Sequence, residues 1–165
     1  MTAKPLVGVI GITEAKDQER QMAFEVGKLI GAMGLSLVCG GLGGVMEEAS
    51  RGCSQVGGIV IGLLPGDDAK AANDYVTYAI PTNLGHSRNT LIAHAAGLLV
   101  SIGTGYGTLS EVAIALKLGK KVLSYRSWDV QGVIPCQTLQ EIQNILTESY
   151  GDRSTKSLLF EEKKS

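Results

Sequence analysis

Short apolar runs alternate with helix-length amphipathic segments along the whole of this 165-residue chain. Most of the apolar runs are continuous, which is typical of strands that are buried on both faces of a parallel sheet. They predict strands over 6–12, 35–39, 59–64, 75–80, 98–102, 121–125 and 133–136, and helices over 17–33, 45–55, 84–96, 108–118 and 138–150. This alternation favours a single doubly wound α/β fold, a three-layer sandwich with a mainly parallel sheet of six to seven strands.

The composition is that of one globular domain. Apolar residues make up 44% of the chain and charged residues 19%. We predict one ligand-binding domain over 1–150 and a flexible polar tail over 151–165. A net charge of -1 and the lack of a Lys/Arg cluster argue against a nucleic-acid surface. No signal peptide leads the chain and no apolar stretch could span a bilayer, so we expect a cytoplasmic protein that does not bind membranes.

Two glycine-rich loops follow predicted strands, at residues 40–44 and 103–107. The second loop runs into a helix that is predicted to begin at about Thr108. When a strand leads through a glycine loop into a helix, free backbone N–H groups and the positive end of the helix dipole point at an anion. Because the carboxyl ends of parallel strands meet at one rim, both loops should form a single phosphate or oxyanion site at the switch point of the sheet.

Several side chains near these loops have two readings. Arg88 lies near a helix start, where the dipole disfavours a cation, so it is interpreted as a phosphate or carboxylate ligand, the alternative being a surface arginine. Glu111 is either a site residue or, with Thr108, half of a capping box. Asn89 is either a polar contact of the pocket or merely exposed.

Other residue patterns exclude common sites. His86 and His94 are interpreted as ordinary helix residues, and Cys39 as a buried, inert thiol. No G-x-G-x-x-G, P-loop or G-x-S-x-G motif occurs, so NAD, FAD, P-loop and serine-hydrolase sites are disfavoured. Three cysteines without C-x-x-C spacing indicate neither a disulfide framework nor a structural metal.

Three motifs make the chain resemble a known family. They are Gly-Gly-Leu-Gly-Gly-Val-Met at 40–46, Ser-Arg-Asn at 87–89 and Gly-Thr-Gly-Tyr-Gly-Thr-Leu-Ser-Glu at 103–111. They look like the Lonely Guy-related (lysine decarboxylase-like, SLOG) Rossmann proteins, over most of the chain. The length, the Arg-Asn pair and the last motif are most similar to molybdenum cofactor carrier proteins. The resemblance implies a Rossmann-like fold and bound molybdenum cofactor, a phosphorylated pterin. It also implies a homodimer or homotetramer, with molybdenum enzymes or cofactor-synthesis proteins as partners.

The hydrolase branch of that family cleaves cytokinin nucleoside monophosphates and carries an Arg-Lys pair and Pro-Gly-Gly-x-Gly-Thr-x-x-Glu. This chain matches the arginine at Arg88 and the glutamate at Glu111. It departs at Asn89, where lysine is expected, and at 103–105, where Pro-Gly-Gly is expected. A cytokinin riboside 5′-monophosphate phosphoribohydrolase using Arg88 and Glu111 is therefore the alternative to a non-catalytic carrier, and a nucleotide-sensing module is the third hypothesis.

The candidate site is the set of residues in the two glycine loops and in the Ser-Arg-Asn motif. A carrier would have no catalytic residue among them. The predicted ligand-binding residues are Gly40, Gly41, Gly43, Gly44, Ser87, Arg88, Asn89, Gly103, Thr104, Gly105, Tyr106, Gly107, Thr108 and Glu111.

Overall fold

A computed structural model describes residues 3–151, and within them seven parallel strands form one sheet. The sheet order is β4-β3-β2-β1-β5-β6-β7. The strands are β1 (Leu6–Gly11), β2 (Ser36–Cys39), β3 (Val60–Leu64), β4 (Tyr78–Pro81), β5 (Leu98–Ile102), β6 (Lys121–Tyr125) and β7 (Ile134–Pro135). The predicted sheet of six to seven strands is confirmed. The predicted flexible tail lies outside the described residues from residue 152 onward.

Helices cover both faces of the sheet, which gives the predicted three layers. They are α1 (Asp17–Ala32), α2 (Val45–Gln55), α3 (Arg88–Ala95), α4 (Tyr106–Lys117) and α5 (Leu139–Tyr150). One apolar core joins α1, α2 and α5 to one face, and a second joins α3 and α4 to the other. Glycines let α1 and α2 approach closely, because a Cβ on Gly27 would lie 1.9 Å from the carbonyl oxygen of Ala49.

The chain reverses its direction of winding beside β1. It adds β2, β3 and β4 outward on one side of β1 and then returns to place β5 on the other side. The register of that central pair aligns Val9 with Val100 and Gly11 with Ile102. The carboxyl ends of β1, β2 and β5 therefore meet at the switch point, where open α/β sheets bind ligands.

Two helix starts differ from the sequence-based prediction. The helix predicted from residue 108 begins at Tyr106 with Gly105 as its N-cap, so the alternative of a Thr108–Glu111 capping box is wrong. The helix predicted over 84–96 opens with a 3₁₀ turn, Gly85–Ser87, and becomes α-helical only at Arg88. Both differences move site residues. The earlier start of α4 places Glu111 in the second turn of that helix, where it lines the cleft described below.

The predicted fourth strand begins later than expected, at Tyr78, because the side chain of Asn73 accepts a hydrogen bond from the amide of Tyr75 and forms a turn there. The other element boundaries agree with the prediction to within two residues. Between residues 3 and 151, no helix is long and apolar enough to cross a membrane.

Candidate functional site

A cleft of about 320 Å³ lies at the switch point, where the carboxyl ends of β1 and β2 face the start of α4. Four segments line it: the end of β1 and its loop, the first glycine loop with the start of α2, the Ser-Arg-Asn motif, and the start of α4. The lining residues are Val9, Ile10, Gly11, Ile12, Thr13, Gly40, Leu42, Met46, His86, Arg88, Asn89, Gly105, Gly107, Thr108 and Glu111. The predicted meeting of both glycine loops at one rim is confirmed.

The start of α4 presents unpaired backbone donors. Its N-cap, Gly105, has no side chain to cap the helix, and the first turn carries no acidic residue. Within the described part of the chain, no group accepts a hydrogen bond from the backbone N–H of Tyr106, Gly107 or Thr108. Free N–H groups at a helix start, together with the helix dipole, form an anion site.

The start of α2 is less open than the start of α4, although a glycine loop precedes both helices. The first N–H of α2, at Val45, donates to the carbonyl oxygen of Ile12 at 3.0 Å. Glu47 and Glu48 already place two carboxylates in the first turn of α2. Of the two helix starts, α4 is therefore the better place for a phosphate.

Arg88 supplies a positive charge to the same cleft. It is the first residue of α3 and is only 8% exposed. Its Nη1 donates to the carbonyl oxygen of Leu63 at 2.9 Å, while its buried Nε has no hydrogen-bond partner among the described residues. Burial lowers the pKa of Arg88, and the charge of Glu111 acts in the opposite direction. Because arginine stays protonated even so, the cleft contains a buried cation with donors to spare.

Gly40 makes room for this arginine. A Cβ at that position would lie 2.0 Å from Nη1 of Arg88 and 2.7 Å from the sulfur of Met46. No side chain fits between the end of β2 and the guanidinium, so the glycine is required by a close approach.

Glu111 lines the cleft in an unusual state of protonation. Its side chain is buried, with 7% exposure, and burial raises its pKa to about 8 despite the opposing effect of the Arg88 charge. No ion pair within 4.0 Å joins Glu111 to Arg88 in the part of the chain that the structure describes. Glu111 is therefore mostly uncharged at pH 7, and the cleft keeps the positive charge of Arg88.

Asn89 connects the two helices that border the cleft. It is 9% exposed, and its Nδ2 donates to Ser110 Oγ at 3.2 Å and to the carbonyl oxygen of Gly107 at 3.5 Å. Of the two readings of Asn89, the structure favours the pocket contact. These bonds fix the first turn of α4 against α3.

The predicted site residues divide into two groups. Those that line the cleft are Gly40, Arg88, Asn89, Gly105, Gly107, Thr108 and Glu111. Those that do not line it are Gly41, Gly43, Gly44, Ser87, Gly103, Thr104 and Tyr106. In the second group Gly41, Gly44 and Gly103 have φ of 75°, 65° and 79°, so they form the turns that carry the loops. Ser87, Thr104 and Tyr106 are exposed beside the cleft.

Sequence reasoning missed the contribution of the loop after β1. Gly11, Ile12 and Thr13 line the cleft, as do Leu42 and Met46 of the second segment. The position of β1 could have indicated this contribution, because the carboxyl end of a strand at the centre of the sheet faces the switch point.

Two further residues near the glycine loops have a sequence-based prediction. His86, predicted to be an ordinary helix residue, lies exposed at the cleft, in the 3₁₀ turn before α3. Cys39 is fully buried beside Gly41, which confirms the predicted burial; burial also raises the pKa of its thiol, as an inert thiol requires.

Comparison with known proteins relates the chain to one family. The sequence model of the SLOG cluster4 family matches residues 4–159. An uncharacterized protein of Archaeoglobus fulgidus is 42% identical over 144 residues, which cover 87% of this chain and 95% of that protein.

Solved structures with the same fold include two proteins named for a cofactor. The molybdenum cofactor binding protein from the phototrophic bacterium Rippkaea orientalis is 31% identical, with a TM-score of 0.75 and full coverage of both chains. The molybdenum cofactor carrier protein from Chlamydomonas reinhardtii is 32% identical, with a TM-score of 0.79, over 88% of this chain and 98% of that one.

Proposed function

The chain belongs to the SLOG cluster4 family, and from that membership and the chemistry of the cleft we propose that it is a carrier of the molybdenum cofactor. In this proposal the protein holds the phosphorylated pterin without converting it. The observation that carries the proposal is the buried guanidinium of Arg88, which lines a cleft that also receives the open start of α4 and whose Nε has no hydrogen-bond partner among residues 3–151. The names of the two structural neighbours, at 31% and 32% identity, support the choice of ligand.

The donors in the cleft suit a phosphate group. Backbone N–H groups at a helix start bind anions through hydrogen bonds and the helix dipole. A guanidinium adds charge-assisted hydrogen bonds, which are about twice as strong as neutral ones. Leaving a buried donor such as the Nε of Arg88 unpaired costs about 1–3 kcal/mol, and a ligand oxygen that accepts a hydrogen bond from this atom would remove that cost.

The protonation of Glu111 also favours an anionic ligand. An ionised carboxylate beside Arg88 would cancel its charge and repel a phosphate. With a pKa of about 8, Glu111 is mostly neutral at pH 7 and can donate its own O–H to the ligand. The proposal therefore predicts that affinity for the ligand falls as the pH rises above 8.

Binding of purified molybdenum cofactor tests the proposal directly. Arg88→Met removes the charge but keeps an unbranched side chain, and we expect it to weaken binding by about tenfold or more. Arg51→Met is the matched control, because Arg51 lies on α2 outside the cleft and pairs with Glu48. Binding that is absent in the wild type, or equal in folded Arg88→Met, would contradict the proposal.

An N-glycosidase is the second candidate, and the same carboxyl favours it. A protonated carboxylic acid beside an arginine has what a general acid needs to protonate a departing base, while water attacks the sugar. The reaction would be that of a cytokinin riboside 5′-monophosphate phosphoribohydrolase. Release of ribose 5-phosphate from N6-substituted nucleoside monophosphates, abolished in Glu111→Gln, would make the protein an enzyme. No release from folded protein would leave the carrier.

The oligomeric state and the protein partners stay predictions. A homodimer or homotetramer is consistent with exposed apolar side chains on the edge strand β4, where Tyr78 is 59% and Ile80 45% exposed. Light scattering on the purified chain would decide this. Molybdenum enzymes or cofactor-synthesis proteins as partners would be tested by cofactor transfer from the loaded carrier.

A further inference from the structure

The loop that follows β6 is hydrogen-bonded to the glycine loop that follows β5. Ser127 Oγ donates to the carbonyl oxygen of Gly103 at 2.7 Å and lies 2.6 Å from Ser101 Oγ. Trp128 Nε1 donates to the carbonyl oxygen of Gly105 at 2.9 Å. A hydroxyl has one proton, so Ser101 is the donor to Ser127. These three side chains form a bracket on the glycine loop, which has few side chains to hold it.

The bracket determines which way the peptide groups of the glycine loop face. In a trans peptide the C=O and the following N–H point in opposite directions. Ser127 follows β6, and β5 separates β6 from β1 in the sheet. Because Ser127 draws the Gly103 carbonyl toward the β6 side, the N–H of Thr104 points toward the β1 side, where the cleft lies. A Cβ on Gly103 would lie 2.7 Å from Cδ1 of Ile12, which confirms that this loop packs against the β1 wall of the cleft.

The second bond of the bracket acts on the helix start itself. The carbonyl oxygen of Gly105 accepts from Trp128 and also, at 2.8 Å, from the N–H of Leu109. Two hydrogen bonds on this oxygen restrain the rotation of the peptide group, whose N–H, that of Tyr106, points the opposite way, out of the start of α4. Within residues 3–151, no group accepts a hydrogen bond from the N–H of Thr104 or of Tyr106.

We propose that Ser127 and Trp128 are positioning residues for the anion. They hold the glycine loop and the start of α4 so that the free N–H groups of Thr104 and Tyr106, beside the cleft, face a phosphate together with those of the lining residues Gly107 and Thr108. This inference rests on the proposed function of the same cleft. It also gives Tyr106 a role, since its ring stacks on Trp128 with centroids 6.0 Å apart and an interplanar angle of 29°. The tyrosine therefore packs on the bracket and supports the site from outside the cleft.

A bracket is needed because glycine loses more conformational freedom on ordering than any other residue. Without it, binding a phosphate would have to order the loop, and that cost would reduce the affinity. With it, the loop is ordered before the ligand arrives.

Two variants remove the bracket bonds with little change in shape. Ser127→Ala deletes the hydroxyl, and Trp128→Phe deletes the indole N–H but keeps an aromatic ring against Tyr106. The exposed Ser54→Ala on α2 is the matched control. The probes are neopterin monophosphate and neopterin, which differ only in the phosphate.

We expect each bracket variant to bind neopterin monophosphate about threefold to tenfold more weakly, with no change for neopterin. In the ligand-free protein, the ¹⁵N order parameters of Thr104 and Tyr106 should fall from about 0.85 toward 0.6. Equal loss of both probes, or unchanged affinity and unchanged order parameters, would overturn the inference. If the wild type binds neither neopterin monophosphate nor the cofactor, the proposed function fails, and the order parameters alone still decide whether the bracket holds the loop.

Discussion

Replacing Glu111 by glutamine should stabilise the protein at alkaline pH and leave its stability unchanged at acid pH. Glutamine keeps the size and polarity of a protonated carboxyl but cannot ionise. In the folded protein the pKa of Glu111 is about 8, against an ordinary value of 4.5 in the unfolded chain. Between those two pH values the folded state keeps a proton that the unfolded chain releases, so the wild type loses stability as the pH rises across this window.

The size of the effect follows from the rise in pKa. A tenfold change in proton affinity corresponds to about 1.4 kcal/mol, so ionising Glu111 inside the folded protein costs about 5 kcal/mol. Water enters the open cleft and moderates the field around the carboxyl. We therefore expect Glu111→Gln to exceed the wild type in unfolding free energy by about 2–5 kcal/mol at pH 9, and by less than about 0.5 kcal/mol at pH 4.5.

Urea denaturation at pH 4.5, 6, 7.5 and 9 measures this difference. Other titrating groups are common to both proteins, so subtracting the two profiles isolates Glu111. The difference should rise through the window and level off above pH 8. Two parallel profiles would refute the argument, because they would show that Glu111 ionises as easily in the cleft as in water.

Three further substitutions test the packing around the site. Gly107→Ala places a Cβ 3.6 Å from Asn89 Nδ2, which is an ordinary contact distance. The melting temperature of this variant should therefore not fall, while its affinity for neopterin monophosphate should drop. Gly66→Ala is the control, because a Cβ at Gly66 would meet no atom of residues 3–151 within 4 Å beyond its chain neighbours. Gly40→Ala should displace the arginine behind it, costing about 1–3 kcal/mol in urea denaturation and weakening phosphate binding together. Lys120→Met removes an ammonium that donates to three carbonyl oxygens at the end of α3, and should cost about 1–3 kcal/mol with binding unaffected. A loss of binding in Lys120→Met without loss of stability would contradict its assignment as a capping residue.

The sequence was sufficient to predict the layers of the fold and the place of the site. Continuous apolar runs such as 98–102 indicate strands that are buried on both faces. A glycine loop after such a run marks the carboxyl end of the strand. Both are local signals, since they depend on neighbouring residues only. These signals predicted the rim of the sheet at which the cleft lies, and Gly40, Gly105 and Gly107 line that cleft.

Helix starts were harder to place, because tertiary contacts at the first turn can override the local signals for capping. The carbonyl oxygen of Gly105 accepts from Trp128, which is 23 residues away, and this contact accompanies a start at Tyr106 instead of Thr108. Because α4 starts two residues earlier than predicted, Thr108 and Glu111 form no capping box, and Glu111 lines the cleft.

By itself the sequence determined which residues reach the carboxyl rim of the sheet, because strand periodicity and chain direction are encoded locally. Only the tertiary structure decided what state they are in there. The raised pKa of Glu111, the fixed guanidinium of Arg88 and the bracket from Ser127 and Trp128 all depend on which strands are neighbours and how deeply each group is buried. Desolvation and hydrogen-bond direction are properties of that assembled environment, and no pattern along the chain carries them.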